Sequence, residues 1–288
     1  MNENLSYIEK LKTQIDNIGI IIDEMLDNSS IYYHDPNANS NVLILGASVY
    51  HWGEKDEKNQ IKIREEYNSF YSNFELLLHK ATPNILRKIK NANGRIINLI
   101  EQKRAPSSIE GGKKSYQTQT KVFKDFLELL NKEDNRIVIL PDTNSLIQYP
   151  DPADYKIIAD SEKFDFVILP TVLSELDKLK ISHRSEDFRK KVKSVIKRLK
   201  GYRKQGSVLK GVKVNKTITV KMIATEPDFD KTLNWLDPNN NDDRIIANAL
   251  EFQVNKPSDN VIFVSADINF QNKAELANLT IYDTDELG

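Results

Sequence analysis

Cysteine is absent from this 288-residue chain, which excludes disulfides and thiolate metal sites together. Histidine is scarce: His34, His51, His79 and His183 lie far apart with no paired ligand spacing, which argues against a zinc enzyme. No apolar run approaches the length of a membrane span, and the start, MNENLSYIEK, lacks a basic stretch followed by an apolar block. We therefore expect a cytoplasmic protein with no membrane partner. A Gly-rich phosphate-binding loop is missing too. Net charge is also nearly absent, at −1. That balance hides a segregation, because Lys178 to Lys216 holds fifteen Lys or Arg against two acids, leaving a strongly acidic remainder.

What is present suffices for a core, with 39% hydrophobic residues and room for two ordinary domains or one large one. The first 130 residues or so read as helices. Leu5, Ile8, Leu11, Ile15, Ile18, Ile22 and Met25 keep a helical period, as do Ile63, Tyr67, Phe70, Phe74, Leu77 and Leu78. Leu86, Ile89, Ile96, Ile97 and Ile100 follow Pro83 in the same manner. Tyr67, Phe70, Tyr71 and Phe74 could stack on bases, yet their helical spacing reads as core. The stretch 105–118, APSSIEGGKKSYQT, is the best linker candidate, and a helix with Val122, Phe126, Leu129 and Leu130 on one face follows it. The run 41–53, NVLILGASVYHWG, fits neither period cleanly and stands as a buried strand or a buried helical turn.

From Asn135 the grammar changes to strands alternating with helices. Strands are expected at 136–140, 165–169, 217–223, 260–265 and 279–282, with helices at 171–180, 186–203 and 242–254. This predicts an α/β fold, a mainly parallel sheet flanked by helices, preceded by a mostly α-helical N-terminal domain. The expected boundaries are 1–133 and 134–288.

The segment ILPDTNSLI, 139–147, ends a buried strand on Asp142. Loops at the carboxyl ends of parallel strands converge on one edge, where ligands bind. Asp267 follows another strand, Glu175 falls in the first turns of a helix starting near Pro170, and Asp242 and Asp243 open the helix of Ile245, Ile246, Ala249 and Leu250. Singly, these acids read as turn residues, N-caps or charges answering the helix macrodipole. Capping does not, however, call for two strand-end aspartates in the same sheet. Carboxylates gathered in one cleft repel, and a divalent cation relieves that. Oxygen ligands without His or Cys suit Mg²⁺ or Mn²⁺. Thr143 and Asn144, and Ser265 beside Asp267, either hold a carboxylate rotamer or a water beside the ion, or serve ordinary turn and cap hydrogen bonding. A phosphatase pattern is disfavoured because Asp142 lacks a second aspartate two residues on.

In these residues the C-terminal half resembles the PIN domain, a family of metal-dependent nucleases most of which cut RNA. The elements occur in the family's order: D-T-N (Asp142), P-x-V-L-x-E-L-D-x-L (Glu175), N-D-D-x-I-I-x-x-A-L (Asp242, Asp243) and V-S-x-D-x-N-x-x-x-K-A (Asp267, with Asn269 and Lys273). The resemblance implies a catalytic metal site built from Asp142, Glu175, Asp242 and Asp267, with Asp243 as a second contact. It also implies hydrolysis of phosphodiester bonds to a 5′-phosphate and a 3′-hydroxyl. The 181–216 insertion and the helical N-terminal half depart from the family.

The insertion carries Phe188, Val192, Val195, Leu199 and Tyr202 at helical spacing, leaving Arg189, Lys190, Lys193, Lys197, Lys200, Arg203 and Lys204 largely outward. Such a helix either tracks a phosphate backbone or is a solvated surface. The expected partner is RNA, single-stranded by preference, with the N-terminal helices available for a second copy or a protein partner. The reading is a metal-dependent endoribonuclease, acting in RNA processing or decay or as a toxin or defence effector. A structure-specific DNA nuclease and a catalytically silent RNA-binding or assembly module are the alternatives.

Overall fold

A computed structural model of the chain describes residues 5–35, 37–38, 49–132 and 135–287. The chain divides into two units, Glu9–Leu130 and the remainder. The division thus follows Leu130, and the described residues up to Ile8 group with the C-terminal unit. Among the described residues no helix is long and apolar enough to cross a membrane.

The first unit is built on α1 (Tyr7–Asp27), α2 (Glu57–Glu75), α3 (Pro83–Ile100) and α4 (Ile109–Leu130), with a two-stranded ribbon of β1 (Ile31–Tyr33) and β2 (Tyr50–Trp52). Ion pairs Lys12–Glu128, Asp16–Lys124 and Asp27–Lys113 set α1 and α4 antiparallel. Gly19 lets Tyr116 cross α1, since a Cβ there would stand 3.0 Å from its ring. The Tyr116 hydroxyl donates to the Ile15 carbonyl at 2.8 Å. Tyr67, Phe70 and Phe74 are buried, with Phe74 edge-on to Phe123 at 4.8 Å, so these aromatics are core.

Two expectations for this unit change. The linker candidate 105–118 is mostly the start of α4: Ser108 caps the Gly111 N–H at 3.0 Å, and Gly112 is buried beside Leu26 and Pro106. Small polar residues and glycines here serve a helix start and a close helix contact. The inward face of α4 is Tyr116, Phe123, Phe126 and Leu127, whereas Leu129 is 70% exposed. Of the ambiguous run 41–53, residues 41–48 lie outside the described ones, and Tyr50–Trp52 is strand.

The second unit carries a six-stranded sheet of β3 (Ile137–Pro141), β4 (Asp165–Ile168), β5 (Val212–Val214), β6 (Ile218–Met222), β7 (Asn260–Val264) and β8 (Thr280–Tyr282), in the order β5-β6-β4-β3-β7-β8. All pairs are parallel except β5–β6. Its helices are α5 (Thr143–Gln148), α6 (Lys156–Ala159), α7 (Pro170–Ser182), α8 (Glu186–Gln205), α9 (Asn241–Asn255) and α10 (Ile268–Leu276). Val138, Ile139 and Leu140 are wholly buried, as unbroken apolar runs in parallel sheets require. Strand β5, which the sequence reading left inside the insertion, is an antiparallel edge joined to β6 by a turn whose Asn215 and Lys216 both have positive φ.

From central β3 the chain winds outward through β4 and β6, then returns to β7 on the other side of β3. The winding therefore reverses between β3 and β7, which is where such sheets open a ligand crevice beyond their carboxyl ends. The register pairs Pro141 with Val264, so the loops carrying Asp142 and Asp267 leave the sheet side by side.

Candidate active site

At that point lies a cleft of about 300 Å³ lined by Asp142, Glu175, Asp242 and Asp267, together with Thr143, Asn144, Lys178, Asn241 and Ser265 and an apolar wall of Leu179, Ile245 and Phe270. Four separate elements deliver the acids. Asp142 caps α5, its Oδ1 accepting the Ser145 N–H at 2.6 Å, and Asp267 caps α10, its Oδ1 accepting the Phe270 N–H at 3.0 Å. Capping and cleft-lining are thus performed by the same two side chains. Glu175 sits in the second turn of α7, and Asp242 in the first turn of α9.

Ser265, wholly buried, ties the two strand-end aspartates together: its hydroxyl donates to Asp142 Oδ2 at 2.6 Å and accepts the Asp267 N–H at 3.2 Å. Glu175 is held by the Thr143 hydroxyl on Oε2 and by the Asn241 side-chain amide on Oε1 at 2.9 Å. Thr143 therefore orients Glu175, and not the neighbouring Asp142. Asn144 is exposed and lines the cleft, whereas Asn269 is exposed outside it. Among the described residues the Asp242 carboxylate accepts no hydrogen bond and Asp267 keeps Oδ2 uncommitted.

Asp243 goes elsewhere. It is 4% exposed and absent from the cleft wall, with Oδ1 on the Lys273 ammonium at 2.5 Å and Oδ2 on the Asp237 N–H at 3.0 Å. Adjacent helix residues point about 100° apart, so one of the pair faces the cleft and the other pins α9 to α10. The second metal contact expected of Asp243 is not what this geometry offers.

Electrostatics connect the cleft acids. Burial raises the Asp142 carboxyl above the usual carboxylate range, over the opposing pull of its hydrogen bonds, and the charge of Asp267 adds to the rise. Burial likewise raises Asp242, with Asp267 the next cause and Asp142 a further one. The donor set is all oxygen and mutually repelling, which fits a hard divalent cation. Among the described residues no three His, Asp or Glu side chains are gathered tightly enough to cage an ion as they stand. The cleft is thus an open donor set, its members pinned by hydroxyl and amide neighbours.

On α8, Val192, Val195, Leu199 and Tyr202 are buried, and the helix packs on α7 and α5. Of the expected phosphate-binding residues, Arg189 is half-buried and donates to the His183 carbonyl at 2.5 Å, clamping the α7–α8 loop. Lys190 pairs with Glu186 at 3.2 Å. Lys193, Lys197, Lys200, Arg203 and Lys204 are exposed, with no ion pair among the described residues.

Two polar cleft residues, and the apolar Leu179 and Phe270, escaped the sequence reading. Asn241 was visible only as the first letter of the N-D-D motif, and Lys178 as one of many basic residues. Compared with curated proteins, the chain finds no match. Compared with known families, residues 138–285 match the PIN domain, a span that runs from β3 past β8 and contains the whole cleft. The chain belongs to the PIN domain family, whose members are generally metal-dependent nucleases.

Proposed function

We propose that the chain is a Mg²⁺- or Mn²⁺-dependent endoribonuclease that hydrolyses RNA to 5′-phosphate and 3′-hydroxyl ends. One observation carries this: Asp142, Glu175, Asp242 and Asp267, from four distant parts of the chain, line a single cleft at the reversal point of the sheet. Those four side chains would hold the ion, which when bound supplies Lewis-acid stabilisation of charge developing on phosphate oxygens. The protein's own part is orientation. Ser265 fixes Asp142, Thr143 and Asn241 fix Glu175, and Leu179, Ile245 and Phe270 keep one wall apolar so that charges across it interact strongly. The unpaired basic residues of α8 supply sequence-independent attraction for a phosphate backbone.

The test is incubation of the purified chain with labelled single-stranded RNA, duplex RNA and DNA, in Mg²⁺, Mn²⁺ or chelator. Metal-dependent cutting of RNA, with products that ligate without further processing of their ends, is expected. Cutting confined to DNA would reassign the substrate, and binding without cutting in any metal would make the chain a silent RNA-binding module.

A further inference from the structure

We propose that Lys178 binds a backbone phosphate of the substrate next to the bond that is cut, a refinement that rests on the nuclease reading above. Among the described residues it is the one cation lining the cleft, against four carboxylates. It lies three residues beyond Glu175 on α7, hence one turn on along the same face. A lysine in that position would normally pair with the glutamate. Here Glu175 already receives the Thr143 hydroxyl and the Asn241 amide, one on each carboxylate oxygen. Lys180, two residues on, is committed to Asp177 at 2.5 Å. The Lys178 side chain is exposed, and among the described residues its ammonium has no hydrogen bond or ion pair.

A free ammonium beside a cluster of carboxylates answers a need of the substrate. An RNA strand entering this cleft brings several negative phosphates. An ion held by the acids neutralises charge only where it sits, so the flanking phosphate still faces the acidic wall. Lys178 meets that charge from the rim. The contact forms when RNA binds and persists through cleavage, so it contributes equally to the bound substrate and the transition state. Its loss therefore raises KM and leaves kcat nearly unchanged.

The experiment compares wild type, Lys178→Gln, Lys178→Arg and the cleavage-defective control Asp142→Asn. Binding of fluorescent single-stranded RNA is followed by anisotropy in chelator over a range of salt, and cleavage kinetics in Mn²⁺ are measured for the first three. The expected result is that K178Q binds more weakly, with a salt slope shallower by about 0.7, the value of one single-strand phosphate contact. K178R should restore both slope and KM, while D142N should bind with the wild-type slope. If wild type binds and cuts RNA but K178Q matches it in slope and KM, the Lys178 assignment is wrong and the nuclease reading stands. A fall in kcat alone in K178Q would likewise overturn the assignment. If wild type neither binds nor cuts RNA, both fall together.

Discussion

Asp142→Asn separates a structural carboxylate from a functional one, because the two roles predict opposite changes in stability. Asp142 is 7% exposed, and its oxygens accept from the Ser145 N–H and the Ser265 hydroxyl, each at 2.6 Å. Asparagine has the same volume and keeps the Oδ1 cap, while its amide can donate to the Ser265 oxygen. Making two charge-assisted hydrogen bonds neutral costs about 1 kcal/mol each. Against that, removing the buried charge recovers a desolvation penalty of several kcal/mol, roughly 3–4 net of relaxation. The balance is a gain of about 1–2 kcal/mol in chelator, or a rise in Tm of roughly 3–6 °C for a unit of this size. The two tryptophans, Trp52 and Trp235, fall one in each unit, so in a Trp52→Phe background the fluorescence of Trp235 reports the C-terminal unit alone. With Mn²⁺ at a hundred times its Kd, wild type should gain about 2.7 kcal/mol and the variant far less, which closes or inverts the gap. If the variant is less stable than wild type in chelator by more than about 1 kcal/mol, the charge-assisted hydrogen bonds outweigh the desolvation and the carboxylate is chiefly structural. Equal Mn²⁺ shifts in the two proteins would remove Asp142 from the ion's ligands.

Asp242→Asn and Asp243→Asn should fail differently: the first loses cleavage with stability kept or slightly raised, because it removes a half-buried charge that Asp267 repels, and the second loses on the order of 1–2 kcal/mol by breaking the Lys273 pair while still binding RNA. Denaturant melts beside cleavage assays check this, and interchanged outcomes would mean that the cleft faces Asp243. Joint substitution of Lys193, Lys197 and Lys200 by Gln should weaken RNA binding and flatten its salt slope by about 2; an unchanged slope would make α8 a solvated surface. In the helical unit, hydrogen bonding to Arg64 lowers the Glu101 carboxyl, and the Asn28 side chain and the Asn59 N–H lower that of Asp56. Lowered folded values mean that this stabilisation is present above the unfolded carboxylate pKa of about 4 and is lost as pH falls through the folded values. Helical circular dichroism followed to low pH should therefore show a shallower acid dependence for Glu101→Gln with Asp56→Asn than for wild type, and superimposable curves would refute the assignment.

The sequence disclosed the α/β half well because its signals are redundant there. Runs such as Ile137 to Leu140 are too apolar for anything but a buried strand, and each ends at a proline or a polar turn that marks the boundary. The helical half was legible in α1 and α2, where one apolar stripe dominates. In α4 two stripes compete, Val122 with Leu129 against Phe123 with Leu127, and only the partner decides: Phe123 is taken because Phe74 meets it edge-on. Local composition misled at 105–118, since serine and glycine mark a linker and a capped helix start equally. Strand β5 was hidden because the alternation Val212-Lys213-Val214 is too short to mark a strand, and its existence depends on pairing with β6.

The site was legible as a set of acids but not as a division of labour among them. Which of Asp242 and Asp243 enters the cleft depends on the rotation of α9, and that is fixed by Lys273 thirty residues away. The roles of Asn241 and Thr143 are likewise settled across the fold, where both end on Glu175. These donors explain how the acids can be neighbours at all. A hydroxyl or amide on each oxygen of Glu175, and a backbone N–H on one oxygen each of Asp142 and Asp267, offset part of the mutual repulsion without adding a fixed positive charge. A lysine in their place would neutralise the acids permanently and compete with a cation for the same oxygens. Neutral donors hold the carboxylates in position and leave their charge available. Among the described residues the one lysine that lines the cleft stands free at its rim, so the charge of the cleft is left for what binds there to balance.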